Sequence, residues 1–187
     1  MAVVDLTTYK KSSAGIPVDA IQACGTDVLH VVASFPITNG NSIASIYRIA
    51  EIPSNFVPIG GEITCDGITS VNDADLGLYE TDEHGGAVID VDALMDGGDI
   101  SSALAPGAGL NPISAVTIAN QDSALYTLAS DVSSERQAYV LALTINAAAT
   151  ATGTVIVRLT LVRREYVSAT LLRSKGECLM SCWAEGT

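Results

Sequence analysis

AYVLALTIN at residues 138–146, AAATAT at 147–152 and GTVIVRLTLVR at 153–163 decide the fold. In the last run Val155, Val157, Leu159 and Leu161 fall on one face, and Thr154, Arg158 and Thr160 fall on the other, with Ile156 the exception. A period of two with one apolar face is the pattern of a half-buried strand. The run at 138–146 is expected to pair with this last run as a long β-hairpin, one face buried and one solvated, with residues 147–152 between them.

Working outward, residues 29–37 read as a first strand, followed by the turn signal Asn39-Gly40-Asn41. Residues 42–52 read as a second strand that Pro53 stops. Its Ile46, Ile49 and Ile52 do not alternate, so a short helix is the alternative there. Residues 56–59 and 62–65 flank Gly60-Gly61, and residues 74–79 and 87–91 add two more short strands. Residues 93–109 are rich in Gly, Ala and Asp and read as a long excursion; 115–119 and 124–128 are further short apolar runs. About eight strands with no βαβ rhythm predict an all-β fold, a jelly-roll-like antiparallel β-sandwich with extended N- and C-terminal arms. The body spans 28–163. Residues 1–27 form an N-terminal arm, and 164–187 a C-terminal arm or short helix.

The 187 residues fit one domain, and a 48% hydrophobic content supplies its core. No apolar run approaches the roughly 18 residues that a membrane-spanning helix needs. The first fifteen residues carry no apolar core of a secretory signal, so folding in a reducing cytoplasm is expected. Cys24, Cys65, Cys178 and Cys182 are then thiols by default. Cys178 and Cys182 share a helical spacing, but zinc would need two more soft ligands.

The net charge is −12, which disfavours direct nucleic-acid binding. Between Arg48 and Arg136 there are fifteen Asp and Glu and no Lys or Arg. Arg158, Arg163, Arg164, Arg173 and Lys175 follow. An acidic middle with basic ends suggests a two-faced particle that docks on a partner.

The densest acidic stretch is NDADLGLYETDEHGG, residues 72–86, with five carboxylates and one histidine. Acid/base chemistry needs two carboxyls opposed across a pocket. Here Asp73 and Asp75 lie side by side and nothing opposes them. His30 sits in an apolar strand as a structural residue, and His84 reads as a solvated turn residue. No nucleophile elbow is present. Asn72, Asp73 and Asp75, and likewise Asp90, Asp92, Asp96 and Asp99, resemble fragments of a calcium loop without its Gly and Glu positions. The favoured reading is solvated charge at strand ends, which resists stray edge pairing. The pairs Gly60-Gly61, Gly85-Gly86 and Gly97-Gly98 read as turns, not phosphate cradles. Trp183 either anchors a terminal arm on a neighbour or folds back on its own domain. No metal, cofactor or catalytic residue is assigned.

SIYRIAEIPSNFVPIGGEI (45–63), ADLGLYETD (74–82) and LALTINAAATATGTVIVRLTLV (141–162) together resemble a family. It is that of the head decoration or cement proteins of tailed bacteriophages, over roughly residues 28–163. The segment from Glu165 on has no counterpart. The resemblance implies a β-sandwich or jelly-roll body, assembled as dimers or trimers on the capsid surface and clamping neighbouring capsomers. It implies a non-enzymatic virion protein, made in the host bacterial cytoplasm, with the major capsid protein and itself as partners and neither nucleic acid nor membrane bound directly. Arg163, Arg164, Arg173, Lys175 and Trp183 are the expected contact residues, on arms that act by many weak contacts. The alternatives are another virion part (tail, neck or head fibre), a carbohydrate-binding β-sandwich, and a hydrolase using the acidic cluster.

Overall fold

A computed structural model describes residues 3–5, 21–23, 28–129 and 138–164. The strands among them are β1 (Val3–Asp5), β2 (Ile21–Ala23), β3 (Val28–Ile37), β4 (Ser45–Pro53), β5 (Phe56–Cys65), β6 (Ala74–Tyr79), β7 (Val88–Gly98), β8 (Ala138–Ile145) and β9 (Gly153–Arg163). One short helix, α1 (Leu125–Leu128), and two 3-10 turns, Asp82–His84 and Ile118–Asn120, accompany them. The strands form a five-stranded sheet in the order β1-β4-β8-β6-β7 and a four-stranded sheet in the order β2-β3-β9-β5. All pairs are antiparallel except β1 with β4. The two sheets make the all-β sandwich expected. Within the 1–27 segment, β1 and β2 add a strand to one edge of each sheet.

The predicted hairpin does not form. β8 pairs with β4 and β6, and β9 pairs with β3 and β5, so the two strands lie in different sheets. Their burial patterns give the reason. β9 alternates strictly, with Val155, Val157, Leu159 and Leu161 inside. β8 is buried at every residue from Tyr139 to Ile145, which requires a central strand covered on both faces. Residues 147–152 therefore cross from one sheet to the other. Backbone bonds hold that crossing, from Gly40 N to Ala149 O (2.9 Å), Ala149 N to Asn41 O (3.0 Å) and Thr150 N to Thr69 O (3.1 Å).

The irregular spacing of Ile46, Ile49 and Ile52 also finds its cause. β4 is a strand throughout, and a bulge between Arg48 and Ala50 breaks its alternation, so the helical alternative is wrong. Residues 56–59 and 62–65 are likewise one strand, β5, with an irregularity between Pro58 and Gly60. Gly61 sits inside that strand, where a Cβ would come within 2.1 Å of the Arg158 carbonyl oxygen. Gly85 and Gly86 have the left-handed backbone expected of turns, whereas Gly60-Gly61 and Gly97-Gly98 lie inside β5 and β7 and not in turns.

The main core lies between the sheets. Val31, Phe35 and Ile37 of β3 and the inward row of β9 meet Tyr47, Leu141, Leu143, Leu76 and Leu78 of the other sheet. Phe35 stacks on Tyr47 across the gap, with ring centroids 5.4 Å apart. A second cluster of Ile46, Tyr79, Val140 and Ala142 lies on the outer face of the five-stranded sheet. β7 covers it. Between its partners Met95 and Asp90 the strand spends extra residues opposite Leu76–Leu78, and Val91 packs onto this cluster.

Consecutive strands alternate between sheets from β3 to β6, as in a jelly roll. Among the described residues, the free edge of β5 is met by two isolated bridges, Ile63 to Leu110 and Cys65 to Leu104. The excursion after β7 supplies them. Glu62 pins it, accepting hydrogen bonds from the backbone of Gly107 (2.5 Å) and Gly109 (3.2 Å) with Arg158 at 3.8 Å. Cys65 is a buried free thiol whose Sγ lies 3.3 Å from the Ser102 carbonyl oxygen.

Candidate functional site

Strand β6 carries the heart of the acidic stretch into the interior. Alternation points Leu76 and Leu78 at the core and Asp75, Gly77 and Tyr79 at the outer face, where β7 overlies them. Asp75 is only 5% exposed. The Asn146 side-chain amide donates to Asp73 Oδ1 (3.0 Å) and Asp75 Oδ2 (2.5 Å), and the Gly97 backbone N–H donates to Asp75 Oδ1 (2.9 Å). These bonds tie β6 to the end of β8 and to β7. The expectation of solvated charge is therefore wrong for Asp75, which is a buried, hydrogen-bonded carboxylate. Tyr79 and Thr144 share a 2.6 Å hydrogen bond beside it. Burial pushes the Tyr79 phenol up, with Thr144 opposing and Asp75 adding to the rise.

Past the strand end, Arg48 Nη1 donates to Asp82 Oδ1 at 2.7 Å; the Arg48 side chain is 9% exposed and that of Asp82 65%. Glu51, close by, has its carboxyl raised by burial and then by Asp82 and Glu83, against the pull of Arg48. His84 Nδ1 lies 2.9 Å from Thr81 Oγ1, and His30 Nδ1 lies 3.0 Å from Thr160 Oγ1, so both rings are held locally. On β7, Asp90 and Asp92 form a carboxyl pair. Burial raises Asp90 first, and the hydrogen bond and charge of Asp92 raise it further. Among the described residues no three His, Cys, Asp or Glu gather as metal ligands.

Of the contact residues expected from sequence, Arg163 and Arg164 are described and exposed. Arg173, Lys175 and Trp183 lie outside the described residues, as do Cys24, Cys178 and Cys182. Arg163 stands opposite Phe56 in the β5–β9 ladder, and the Arg164 backbone N–H donates to Asn55 O at 3.0 Å. Among the described residues neither guanidinium makes an ion pair.

Sequence reasoning missed the neighbouring surface. A groove of about 390 Å³ opens beside β5, lined by Pro58, Ile59, Asn111, Ile113, Val116 and Gln121 among others. It lies along the part of β5 that the two isolated bridges leave uncovered. Ile59 is 53% exposed and Ile118, on the 3-10 turn just before Gln121, is 88% exposed. No charged side chain lines the groove. The available signal was an isoleucine between Pro58 and Gly60-Gly61, where a buried strand residue is out of place. Its meaning required knowing that residues 111–121 return to that edge.

The fold defines a class, the two-sheet jelly-roll sandwich, and a solved structure shares its shape. A chain of the capsid of Ralstonia phage GP4 superposes with a TM-score of 0.51 over 88% of this chain and 99% of that one, at 16% identity. A chain of the cyanophage Pam1 capsid asymmetric unit aligns at 0.42 over 81% of this chain and 96% of that one, also at 16% identity. No protein-family model and no curated protein sequence matches this chain. The likeness to the Ralstonia phage chain is one of fold.

Proposed function

We propose that this chain is a non-enzymatic virion protein that binds the outer surface of a phage capsid and holds neighbouring capsomers together. The observation that carries this reading is the fold shared with a capsid chain over nearly the whole length of both. The surface supports it. An acidic body suits the outside of a particle, and exposed Arg163 and Arg164 at the end of β9 suit docking on another protein. The partners are the major capsid protein and further copies of this chain, as a dimer or trimer, made in the host bacterial cytoplasm. Residues 1–27 and 164–187, with Arg173, Lys175 and Trp183, serve as additional contacts. No helix among the described residues is long and apolar enough to cross a membrane.

Quantitative mass spectrometry of purified particles tests the reading. A lattice-bound protein is present on the order of hundreds of copies per particle, because closed symmetry repeats its site. About a dozen copies or fewer would move the chain to the tail or neck. Absence from the particle overturns the virion reading.

A further inference from the structure

We propose that the first half of β7, residues 88–93, is a pH-operated cover: in acid it seals the apolar cluster on the outer face of the five-stranded sheet, and it loosens as the pH rises. The device is internal to the fold and does not depend on the virion reading.

The two halves of β7 are held differently. In the second half Leu94, Met95 and Gly98 are buried, Leu94 O accepts from Ala115 N (3.0 Å), and the Gly97 N–H donates to Asp75 Oδ1 (2.9 Å). In the first half no residue is buried. It meets β6 at two positions, Leu78 with Asp90 and Tyr79 with Val88, and the register shifts on both sides of the Leu78 pair. Its apolar contacts come from half-buried Ile89, Val91 and Ala93, of which Val91 packs on the cluster of Ile46, Tyr79, Val140 and Ala142. A segment with few buried contacts and an interrupted ladder opens at low free-energy cost.

At the centre of that half is a carboxyl pair. Asp90 lies opposite Leu78 and shares a hydrogen bond with Asp92. A bond between two carboxyls needs a proton, and two ionised carboxylates side by side repel. Little basic charge offsets them. Arg48 is the only Lys or Arg in any strand of the five-stranded sheet, and it is bonded to Asp82. The β6 strand contributes Asp75 and Tyr79, β4 contributes Glu51, and β7 itself adds Asp96. The hairpin turn holds Glu80, Asp82 and Glu83 with His84. On β8 the one ionisable group, Tyr139, belongs to the main core, and residues 100–121 carry none. Burial and then Asp92 hold the Asp90 carboxyl above the ordinary aspartate range. The closed cover therefore binds a proton more tightly than the open one, in which both carboxyls are solvated and apart. Closure is favoured in acid and is lost as the pH rises through the raised value.

Hydrogen exchange of the full chain between about pH 4 and about pH 7.5, with each rate divided by that of the unfolded peptide, tests the cover. Protection over residues 88–93 should fall about threefold or more beyond any change over residues 155–161 of β9, since each pKa unit between closed and open states is worth up to about tenfold. Asp90→Asn should abolish the extra fall, and Asp92→Asn should reduce it. Circular dichroism at both pH values checks that each variant is folded. Protection over 88–93 that stays level with β9 overturns the cover, as does an extra fall that Asp90→Asn leaves intact. If that variant does not fold, an extra fall undiminished in Asp92→Asn overturns it equally. Copy number in the particle is a separate measurement, so the virion reading and the cover can fail independently.

Discussion

Asn146 is the residue on which the acidic stretch depends. One carboxamide serves two aspartates, and Asp75 is almost wholly removed from water. Asn146→Ala leaves that carboxylate with the Gly97 N–H but without its side-chain donor. A buried acceptor that loses a partner costs about 1–3 kcal/mol. Urea unfolding should show a lower midpoint at an unchanged slope. Asp90 makes a prediction of the other sign. Its folded carboxyl titrates above the ordinary aspartate range, so between the two values the folded chain binds more protons than the unfolded chain. Stability from this group is present in acid and is lost as pH rises through that window. Asp90→Asn should therefore raise the Tm modestly at pH 7, and the gain should vanish once the pH falls below the ordinary aspartate range. A gain independent of pH would refute the assignment. The sequence showed that carboxylates crowd here. It could not show Asn146, because that partner is 71 residues from Asp75 and asparagine looks like any turn residue.

At the scale of elements, the decisive feature is where β7 lies. A Cβ on Gly77 would fall 2.2 Å from the Val91 carbonyl oxygen and 2.3 Å from that of Asp90. Both are backbone atoms, so no flexible side chain can yield. Gly77→Ala should push β7 off the outer face and uncover Val140 and Ala142. Overpacking of this kind costs about 1–3 kcal/mol, and hydrogen exchange should accelerate across residues 88–93 ahead of the rest of the sheet. Exchange unchanged there would show that the strand rests elsewhere. Element types were largely legible in the sequence, because β-branched runs and turn residues act locally. Partners were not. The alternation of β9 marked a half-solvated strand correctly, whereas β8, expected to share that pattern, is buried on both faces. Taken together those two patterns argue against a hairpin, since neighbours in one sheet share its exposed face. Proximity in sequence alone suggested the hairpin, and the pairing was wrong. The bulge in β4 hid its strand in the same way, by shifting one residue out of phase.

At the scale of the whole molecule, the sandwich and its acid-rich surface followed from composition, whereas the groove did not. A groove is made by two distant stretches meeting, and neither Pro58-Ile59 nor residues 111–121 carries a pattern that names the other. The same long reach governs how the chain comes to exist. β3, the first full-length strand, pairs at its start with β2 but along its whole length only with β9, and His30 and the Thr160 it touches are 130 residues apart. At ribosomal speeds of roughly 5–20 residues per second, β3 emerges on the order of ten seconds before β9 has been made. During that interval β2 can pair only with residues 29–31, and Ala33, Phe35 and Ile37 of the apolar row of β3 are without their ladder partners. The four-stranded sheet is thus completed only once β9 has been made, and a nascent chain that stalls before residue 153 is left with much of β3 unpaired for chaperones to shield.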